Sequence, residues 1–547
     1  MHQNEAGHKN DPGTEPYPID YEIGQDNVEI LGMDLHNPVF FISSVLIILF
    51  VTGTIMYPEV ANTLLSQVKA WSLTNFDWFL MGSANFLLLF CIGLIFSPFG
   101  RIRLGGPLAK PEFSRMSWFS MLFAAGMGIG LMFWGVAEPM AYFSGWGGTP
   151  FAVEPFSNDA AKLAIPATMY HWGFHAWSIY AVVGLSLAFF CYNKGMPLTI
   201  RSAFYPLFGD RIWGWLGHTI DILAVLATIF GLATSLGLGA SQASAGLSFL
   251  FGIPDQINTQ IGIVVGVTFV AVISVIRGLD GGVKVLSNIN MLVALVLLTF
   301  VFFAGPTLII LKGILTTAGD YLTQLVPLSI WTDRPDTQWM QDWTVFYWAW
   351  WVSWSPFVGM FIARISRGRT IREFVIAVLF VPVMVTLIWM STFGISALVQ
   401  AQGGIGELAN GISSPSLATF QMLQQLPLAS ITTGLGILLV MVFFVTSSDS
   451  GSLVIDSITA GGKLDAPVPQ RIFWAVMEGL IAGALLFGGG NAALSALQAG
   501  AIATGLPFTF VLLLMSVCLL IGLTKEHLTR QVSDDLSDKS PEPSSIQ

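Results

Sequence analysis

Long apolar runs alternate with short polar stretches along most of this sequence. A helix needs about 20 mostly apolar residues to cross roughly 30 Å of hydrocarbon, and runs of that length recur throughout the chain. The pattern predicts an all-α integral membrane protein with twelve spans. They are centred on residues 38–58, 78–98, 117–144, 164–191, 214–250, 259–276, 286–312, 342–363, 373–398, 429–458, 470–489 and 493–523.

The composition agrees with this pattern and excludes most other classes of protein. Of 547 residues, 54% are apolar and only 10% are charged, whereas a soluble chain carries roughly 25% charged residues. The net charge of -10 argues against a nucleic-acid partner, because phosphate binding needs clustered Lys and Arg. The cysteines Cys91, Cys191 and Cys518 are far apart inside apolar runs, so no disulfide framework or cysteine metal site is expected.

The distribution of basic residues predicts that both termini are cytoplasmic. Residues 1–35 are polar and acidic and lack the basic start and short apolar core of a cleavable signal, so the first run is a true span. With the N-terminus inside, all but four of the 23 Lys and Arg residues fall on one side, which requires an even number of spans. Residues 313–341 are too polar to span and predict an amphipathic element on the outer surface, and residues 524–547 form a short cytoplasmic tail.

Closely spaced glycines mark the third span, at Gly126, Gly128 and Gly130. A nucleotide loop would require GxGxxG between a strand and a helix, and that context is missing. Two interpretations remain, namely tight helix packing or an unwound stretch whose backbone groups line a polar cavity. Three glycines within five residues exceed what one small-residue packing contact uses, so the sequence favours the unwound stretch.

Aromatic side chains are concentrated in the fourth and eighth spans. Five tryptophans occur within residues 343–354, covering three turns, whereas an interfacial belt occupies only the last turn of a helix. Core packing is the simpler alternative, because Trp also fills volume. A box of indole and phenol faces without a carboxylate suits a quaternary ammonium or sulfonium ion, since each face contributes ~0.5–2 kcal/mol by cation–π attraction. The residues that could share such a box are Trp172, Trp177, Tyr180, Trp350, Trp351 and Trp354.

Hydroxyl residues cluster in the tenth span, in the run FFVTSSDS at 443–450. Such hydroxyls often bond only to a carbonyl one turn earlier. Alternatively, two adjacent hydroxyls and the carbonyls of an unwound helix supply the hard oxygen ligands of an alkali cation. His171 and His175 lie one turn apart without the glutamate of a zinc motif, so a metal site there is not predicted.

Four segments together resemble the betaine/choline/carnitine transporter family. They are GMGIGLMFWGVAEP at 126–139, HWGFHAW at 171–177, WTVFYWAWWVSWSPFVGMFIARISRGRTIREF at 343–374 and FFVTSSDS at 443–450. The resemblance covers residues 35–523 and implies the LeuT-like inverted repeat, with spans 3–7 and 8–12 as the two repeats. The glycine-rich and tryptophan-rich spans would open the repeats as broken helices. Residues 36–100 would then hold the two spans outside the repeats, 117–312 the first repeat and 342–523 the second.

The resemblance also implies roles for individual residues. Trp172, Trp177, Tyr180 and Trp351 would form the box around the cationic head, with Trp350 and Trp354 along the pathway. The amides of Gly126, Met127, Gly128 and Gly130 would receive the substrate carboxylate. One sodium site would comprise Ala124, Met127, Phe443, Thr446 and Ser447. A second would use Thr228 and Phe357, although Leu232 replaces the partner hydroxyl that the family places one turn after Thr228.

Together these features predict a sodium-coupled secondary importer of glycine betaine in the cytoplasmic membrane, with no cofactor beyond the coupling ion. By resemblance it would be a homotrimer. Gly130 stands where proton-coupled choline-type members tend to carry an acidic residue, which favours sodium and a zwitterionic substrate. Dimethylsulfoniopropionate, ectoine or choline are alternative substrates, with proton coupling as the alternative mechanism. A channel would need a wet pore built from rings of identical subunits, and an enzyme would need catalytic groups that the sequence does not show.

Overall fold

The computed structural model describes residues 16–126, 128–278 and 284–538, and most of them are helical. The helices are α1 (Val39–Met56), α2 (Pro58–Phe96), α3 (Arg115–Gly126), α4 (Ile129–Ser144), α5 (Asn158–Trp172), α6 (Phe174–Lys194), α7 (Tyr205–Phe208), α8 (Trp215–Phe251), α9 (Ile257–Gly278), α10 (Lys284–Ala304), α11 (Thr307–Ser329), α12 (Thr337–Trp339), α13 (Phe346–Ile365), α14 (Ile371–Gln402), α15 (Pro415–Gln424), α16 (Ala429–Thr459), α17 (Val468–Gly489) and α18 (Ala493–Asp538). The prediction of a helical membrane protein is confirmed. The structure departs from an all-α fold in one place. Strands β1 (Asn27–Ile30) and β2 (Met33–His36) form an antiparallel hairpin before α1.

The number of spans is lower than predicted when it is judged by length and hydropathy. Among the described residues, ten helical segments are long and apolar enough to cross a membrane, with α5 and α6 counted together. The bent pair α3 and α4 makes an eleventh. The tryptophan-rich α13 has 20 residues, enough to cross, but it is not among these segments. Its many Trp, Tyr and Ser residues make it less hydropathic than the aliphatic helices, so the count of twelve is not reached on this criterion.

Central and peripheral helices differ in what they face. The apolar segments of α5–α6 and α8 are almost completely buried within the protein, whereas most residues of the segments in α1, α9 and α10 face outwards. Apolarity alone does not decide this, because lipid tails are as apolar as a protein interior; the mean hydropathy is 1.6 in the buried α5–α6 segment and 2.3–2.5 in those of α1, α9 and α10. The helices that carry the aromatic motifs are therefore the core of the fold, and the more exposed helices form its lipid-facing shell.

Two helix breaks lie beside the centre of the protein. Between α3 and α4 the chain bends by 62°, and Gly128 is extended there, with φ -164° and ψ -178°. The fourth span is also interrupted, at Gly173 between α5 and α6. A Cβ atom at Gly173 would collide with the Met169 carbonyl and the Tyr321 hydroxyl. The same hydroxyl accepts a hydrogen bond of 2.8 Å from the backbone N–H of Phe174, so α11 supports this break.

The tryptophan-rich span was expected to be broken and is not. Residues Met340–Val345 form one π-helical stretch that continues directly into α13. A π turn inserts one residue into a helix while keeping its backbone bonded, and it rotates the side chains that follow. The aromatic residues are therefore presented by a continuous, rigid helix rather than by an unwound segment.

Two predicted boundaries also move. The amphipathic element α11 begins at Thr307 rather than 313, because α10 already ends at Ala304. At the other end, α18 continues past residue 524 to Asp538, into the predicted tail. This extension is tied to α6 by a buried ion pair in which Lys194 Nζ lies 2.7 Å from Glu526 Oε2. Hydropathy alone assigns these polar residues to a tail, whereas the ion pair with Lys194 holds this part of α18 against the core.

Candidate functional site

A cavity lies where the broken helices meet α13. Most of its lining is aromatic or aliphatic, with the hydroxyls of Ser235 and Thr386 as polar exceptions. It is lined by Ala125, Gly128, Ile129, Gly130, Leu131, Trp172, Ala176, Trp177, Tyr180, Ser235, Trp350, Trp351, Trp354, Val358 and Thr386. The structure thus brings together every aromatic residue proposed for the box, with two of the four proposed amide positions. Gly126 is the last residue of α3, and Met127 lies outside the described residues.

The aromatic rings around this cavity are packed at fixed angles to one another. Trp350 and Trp351 stack with ring centroids 4.7 Å apart and planes 14° from parallel. Trp172 meets Trp351 edge-on at 4.8 Å, and Trp177 meets Tyr180 edge-on at 5.3 Å. These five side chains are almost completely buried, with Trp172 the most accessible at 8% exposure. Water is therefore largely excluded from the rings, the condition under which cation–π attraction is strongest.

The indole N–H groups of Trp350, Trp351 and Trp354 donate to backbone carbonyls and are therefore not available to a ligand. Trp351 Nε1 donates to the His171 carbonyl at 2.8 Å. Trp350 and Trp354 both donate to the Gly231 carbonyl, at 3.3 and 2.9 Å. A Cβ atom at Gly231 would lie 2.9 Å from the Trp354 ring, so this close approach of α8 to α13 requires glycine.

A carboxylate lies immediately behind the box, which sequence reasoning missed. Glu138 on α4 is completely buried and accepts four hydrogen bonds. The donors are Trp172 Nε1 at 2.8 Å and the Tyr347 hydroxyl at 2.5 Å on one oxygen, and the Tyr142 hydroxyl and His171 Nδ1, both at 2.8 Å, on the other. Charge-assisted bonds of this kind are about twice as strong as neutral ones. The lining itself carries no carboxylate, but one in the next layer fixes the Trp172 ring and favours a positive group in the cavity.

His171 extends this network to α13. Its Nε2 atom lies 2.9 Å from the Thr344 hydroxyl, and its ring stacks on Tyr347 at 4.6 Å. The pair His171 and His175 does not form a metal site, because His175 Nε2 instead bonds Asn85 Oδ1 at 2.9 Å. In the part of the chain that the structure describes, no group of three or more His, Cys, Asp or Glu residues is arranged to hold a metal ion.

The residues proposed for the first sodium site are only partly gathered. Phe443 is buried, and the Thr446 hydroxyl bonds back to the carbonyls of Val442 and Phe443, at 3.0 and 3.2 Å. Ser447 is partly exposed, and Ala124, near the end of α3, is exposed. Among the described residues, no hydrogen bond joins these two regions. In this structure the Thr446 hydroxyl therefore bonds only to carbonyls of the preceding turn, and the sodium site stays a prediction.

At the second predicted sodium site, too, the hydroxyl bonds within its own helix, and the site stays a prediction. The Thr228 hydroxyl bonds to the Ala224 carbonyl at 2.7 Å, one turn earlier on α8. Phe357 packs edge-on against Trp354 with centroids 5.5 Å apart. Leu232, one turn after Thr228, is fully buried and offers no oxygen. The structure therefore provides one side-chain oxygen here, already bonded to its own helix.

Signals for the missed residues were present in the sequence. Glu138 is a lone carboxylate in an apolar span, and an ionisable residue in a membrane helix is a functional candidate by default. Tyr347 lies four residues before Trp351 and so shares its helix face. Ser235 gave no such signal, because a single hydroxyl in a long apolar helix is common.

The protein has many membrane-spanning helices and a buried aromatic cavity at its broken helices. This arrangement is typical of membrane transporters for small solutes. Residues 38–528 match the betaine/carnitine/choline family transporters, and the chain belongs to this family. It is therefore a transporter and not an enzyme.

Similar proteins carry names that agree with the family. A glycine betaine/proline/choline/ectoine transporter of Vibrio parahaemolyticus is 59% identical over 93% of this chain and 90% of that protein. Glycine betaine transporter 1 of the same species is 58% identical over 94% of this chain and 99% of its own length. A glycine betaine transporter of Acinetobacter baylyi is 43% identical over 88% and 72% of the two chains. Among solved structures, a manganese transporter of Eremococcus coleocola matches 81% of this chain and 93% of its own, with 11% identity and a TM-score of 0.41.

Proposed function

We propose that this chain is a sodium-coupled secondary importer of glycine betaine that works by alternating access. The observation that carries the proposal is the dry aromatic cavity with Glu138 bonded behind it. The names of relatives that are more than half identical to this chain point to the same solute.

Each end of the substrate has a matching part of the cavity. The trimethylammonium head cannot donate a strong hydrogen bond, so it is best held by the faces of Trp172, Trp177, Tyr180 and Trp351. The carboxylate would lie toward the first turn of α4, where amide N–H groups have no helical partner and the helix dipole favours an anion. Gly128 and Gly130 line the cavity at this point, which agrees with close approach of a ligand to the backbone.

The proposed coupling ion is sodium, bound by the carbonyls of Ala124 and Met127, by Phe443 and by the hydroxyls of Thr446 and Ser447. Binding there would join α3 to α16 and would require Thr446 to redirect a hydroxyl that now bonds within its own helix. Gly130 carries no carboxylate that could exchange a proton beside the substrate, which favours sodium over proton coupling.

The proposed architecture is a LeuT-like inverted repeat in which α13 opens the second repeat. Both termini would be cytoplasmic, and three copies would assemble in the cytoplasmic membrane. Rocking of one repeat against the other around a fixed central site would expose the cavity to each side in turn.

Uptake into proteoliposomes tests substrate and coupling together. We expect radiolabelled betaine to accumulate under an inward sodium gradient, and unlabelled betaine to compete better than choline, ectoine or dimethylsulfoniopropionate. Accumulation of equal size in potassium buffer with an imposed pH gradient would refute sodium coupling. A Trp177→Leu variant should lose uptake, whereas Trp78→Leu, which changes an exposed tryptophan of α2, serves as the matched control.

A broader substrate range is the second candidate function. The Vibrio parahaemolyticus relative that is 59% identical carries proline, choline and ectoine as well as glycine betaine in its name. Aromatic faces bind methyl-covered cations of similar size with similar strength, so the box alone does not reject choline. In the same competition assay, inhibition by choline at the betaine concentration would favour the broader range.

A further inference from the structure

A second group of polar side chains is buried between three helices, apart from the aromatic cavity. It consists of Ser448 and Asp449 on α16, Glu478 on α17 and Ser274 on α9. Asp449 and Glu478 are completely buried, and Ser448 and Ser274 are 1% and 4% exposed. Neither carboxylate forms an ion pair within the part of the chain that the structure describes. Two unpaired carboxylates in membrane helices are costly unless something else satisfies them.

Most oxygen atoms of this group have no hydrogen-bond partner. Ser448 Oγ donates to Glu478 Oε2 at 2.8 Å. Glu478 Oε1, both carboxylate oxygens of Asp449 and Ser274 Oγ are all buried without a hydrogen bond of 3.5 Å or less. The Ser274 hydroxyl is close enough to Asp449 to be directed at its carboxylate, and Asp449 is close enough to Glu478 to interact electrostatically with it. Even with a bond from Ser274, one Asp449 oxygen and Glu478 Oε1 lack a partner; buried polar atoms are nearly always bonded in native proteins, so these oxygens indicate a missing ligand.

This group is distinct from the proposed sodium site on the same helix. With 100° per residue, Ser447 on α16 lies about 160° from Asp449, and Thr446 lies about 160° from Ser448, although Thr446 is only about 60° from Asp449. Burial differs in the same way, because Thr446 and Ser447 are partly exposed and the other pair is fully buried. One run of polar residues thus supplies oxygens to two sides of the helix.

Close helix packing allows the oxygens to converge. A Cβ atom at Gly451 would lie 3.2 Å from Glu478 Oε1 and would collide with Leu232, so glycine lets both side chains pack against the backbone of α16. On α17, a Cβ atom at Gly479 would collide with the Thr268 hydroxyl, which shows how closely α9 and α17 approach beside Glu478.

We propose that Ser274, Ser448, Asp449 and Glu478 bind one alkali-metal cation. Carboxylate and hydroxyl oxygens are hard ligands, and a monovalent ion offsets one of the two buried negative charges while occupying oxygens that lack partners. Calcium takes six to eight oxygen ligands, a number that this group reaches only if both carboxylates bind through both of their oxygens. The bound cation would join α9 to α16 and α17.

Equilibrium binding on the purified full-length chain tests the site independently of transport. The probes are radioactive sodium and potassium (as its rubidium analogue), each measured with N-methyl-D-glucamine chloride to hold ionic strength constant. Combining Thr446→Ala with Ser447→Ala should leave one bound cation per chain. Adding Asp449→Asn and Glu478→Gln, which keep size and polarity, should remove it. Ser457→Ala removes another buried and unbonded hydroxyl of α16 and should change nothing.

The outcomes separate the possibilities. Loss of one cation, whether sodium or potassium, with the Asn and Gln changes supports the site and tells which ion it holds. Unchanged cation binding after these changes overturns it. If the fourfold variant does not fold, the Asp449→Asn and Glu478→Gln double variant alone should bind one cation fewer than wild type, and equal binding would overturn the proposal. Failure of sodium-driven uptake would refute the proposed coupling but would leave this binding result intact.

Discussion

Replacing Glu138 tests whether the carboxylate behind the box holds the box in place. The structure suggests a matched pair of variants. Glu138→Gln removes the charge but keeps one acceptor oxygen, whereas Glu138→Leu removes charge and acceptors at similar volume. The side-chain amide of Gln can turn toward Tyr142 and His171, since a hydroxyl and a neutral imidazole can both accept a hydrogen bond. Its carbonyl would then still accept from Trp172 and Tyr347.

The magnitude follows from the donors left without a partner. In Glu138→Leu the Trp172 indole, which can only donate, loses its 2.8 Å bond in a dry site. A buried donor without a partner costs ~1–3 kcal/mol, enough to rotate the ring away from its place. If the cavity then loses this one face, the cost is ~0.5–2 kcal/mol of cation–π attraction, or about a 2- to 30-fold loss of affinity. We expect Glu138→Gln to lose clearly less affinity than Glu138→Leu.

Two measurements on purified protein distinguish these effects. Titration of betaine followed by tryptophan fluorescence gives the affinity, and thermal unfolding shows whether each variant is folded. Glu59→Leu, at an exposed position of α2, controls for the loss of a carboxylate elsewhere. A folded Glu138→Leu variant that binds betaine as tightly as wild type would refute the idea that this carboxylate positions Trp172. Equal losses in the Gln and Leu variants would instead assign the effect to charge alone.

Three further substitutions test other parts of the site. Trp177→Leu should weaken betaine binding about tenfold, ~1.4 kcal/mol, in the same titration, and unchanged affinity would remove Trp177 from the box. The Thr446→Ala and Ser447→Ala double variant should raise the sodium concentration for half-maximal uptake, and an unaltered sodium dependence would move the coupling site elsewhere. Gly130→Ala should lower betaine affinity, because its Cβ would overlap the Trp172 ring and lie 3.3 Å from Trp350; wild-type affinity would mean that the ring is free to move aside.

Sequence periodicity predicts the helices and the box well because both depend on local properties. Length and apolarity place α1, α8 and α14 within a few residues of their observed positions. The end of α2 is also placed well, but the helix begins at Pro58, before the predicted start at 78. The aromatic residues converge because helix geometry places Trp350, Trp351 and Trp354 on one face, and the interrupted fourth span, α5 and α6, carries Trp172, Trp177 and Tyr180 opposite them. Hydropathy fails for α13, since the same aromatic residues that make the site lower the score by which spans are recognised.

The helix breaks were harder to predict, because they depend on contacts made far along the chain. Gly173 interrupts the fourth span where the Tyr321 hydroxyl of α11 occupies the place of a side chain and accepts the freed N–H of Phe174. Nothing within HWGFHAW specifies that partner, almost 150 residues away. The eighth span remains continuous because the backbone of its π turn stays hydrogen-bonded within the helix and needs no partner from another helix.

The layer behind the box explains why an aromatic motif alone does not specify the site. Trp172 and Trp351 have their faces in the cavity only because their N–H groups are bonded elsewhere, to Glu138 and to the His171 carbonyl. His171 itself bonds Glu138, so two walls of the box depend on one carboxylate and one histidine that never reach the cavity surface. A substitution in this layer can therefore change the affinity for a ligand that it does not touch, through the orientation of the rings.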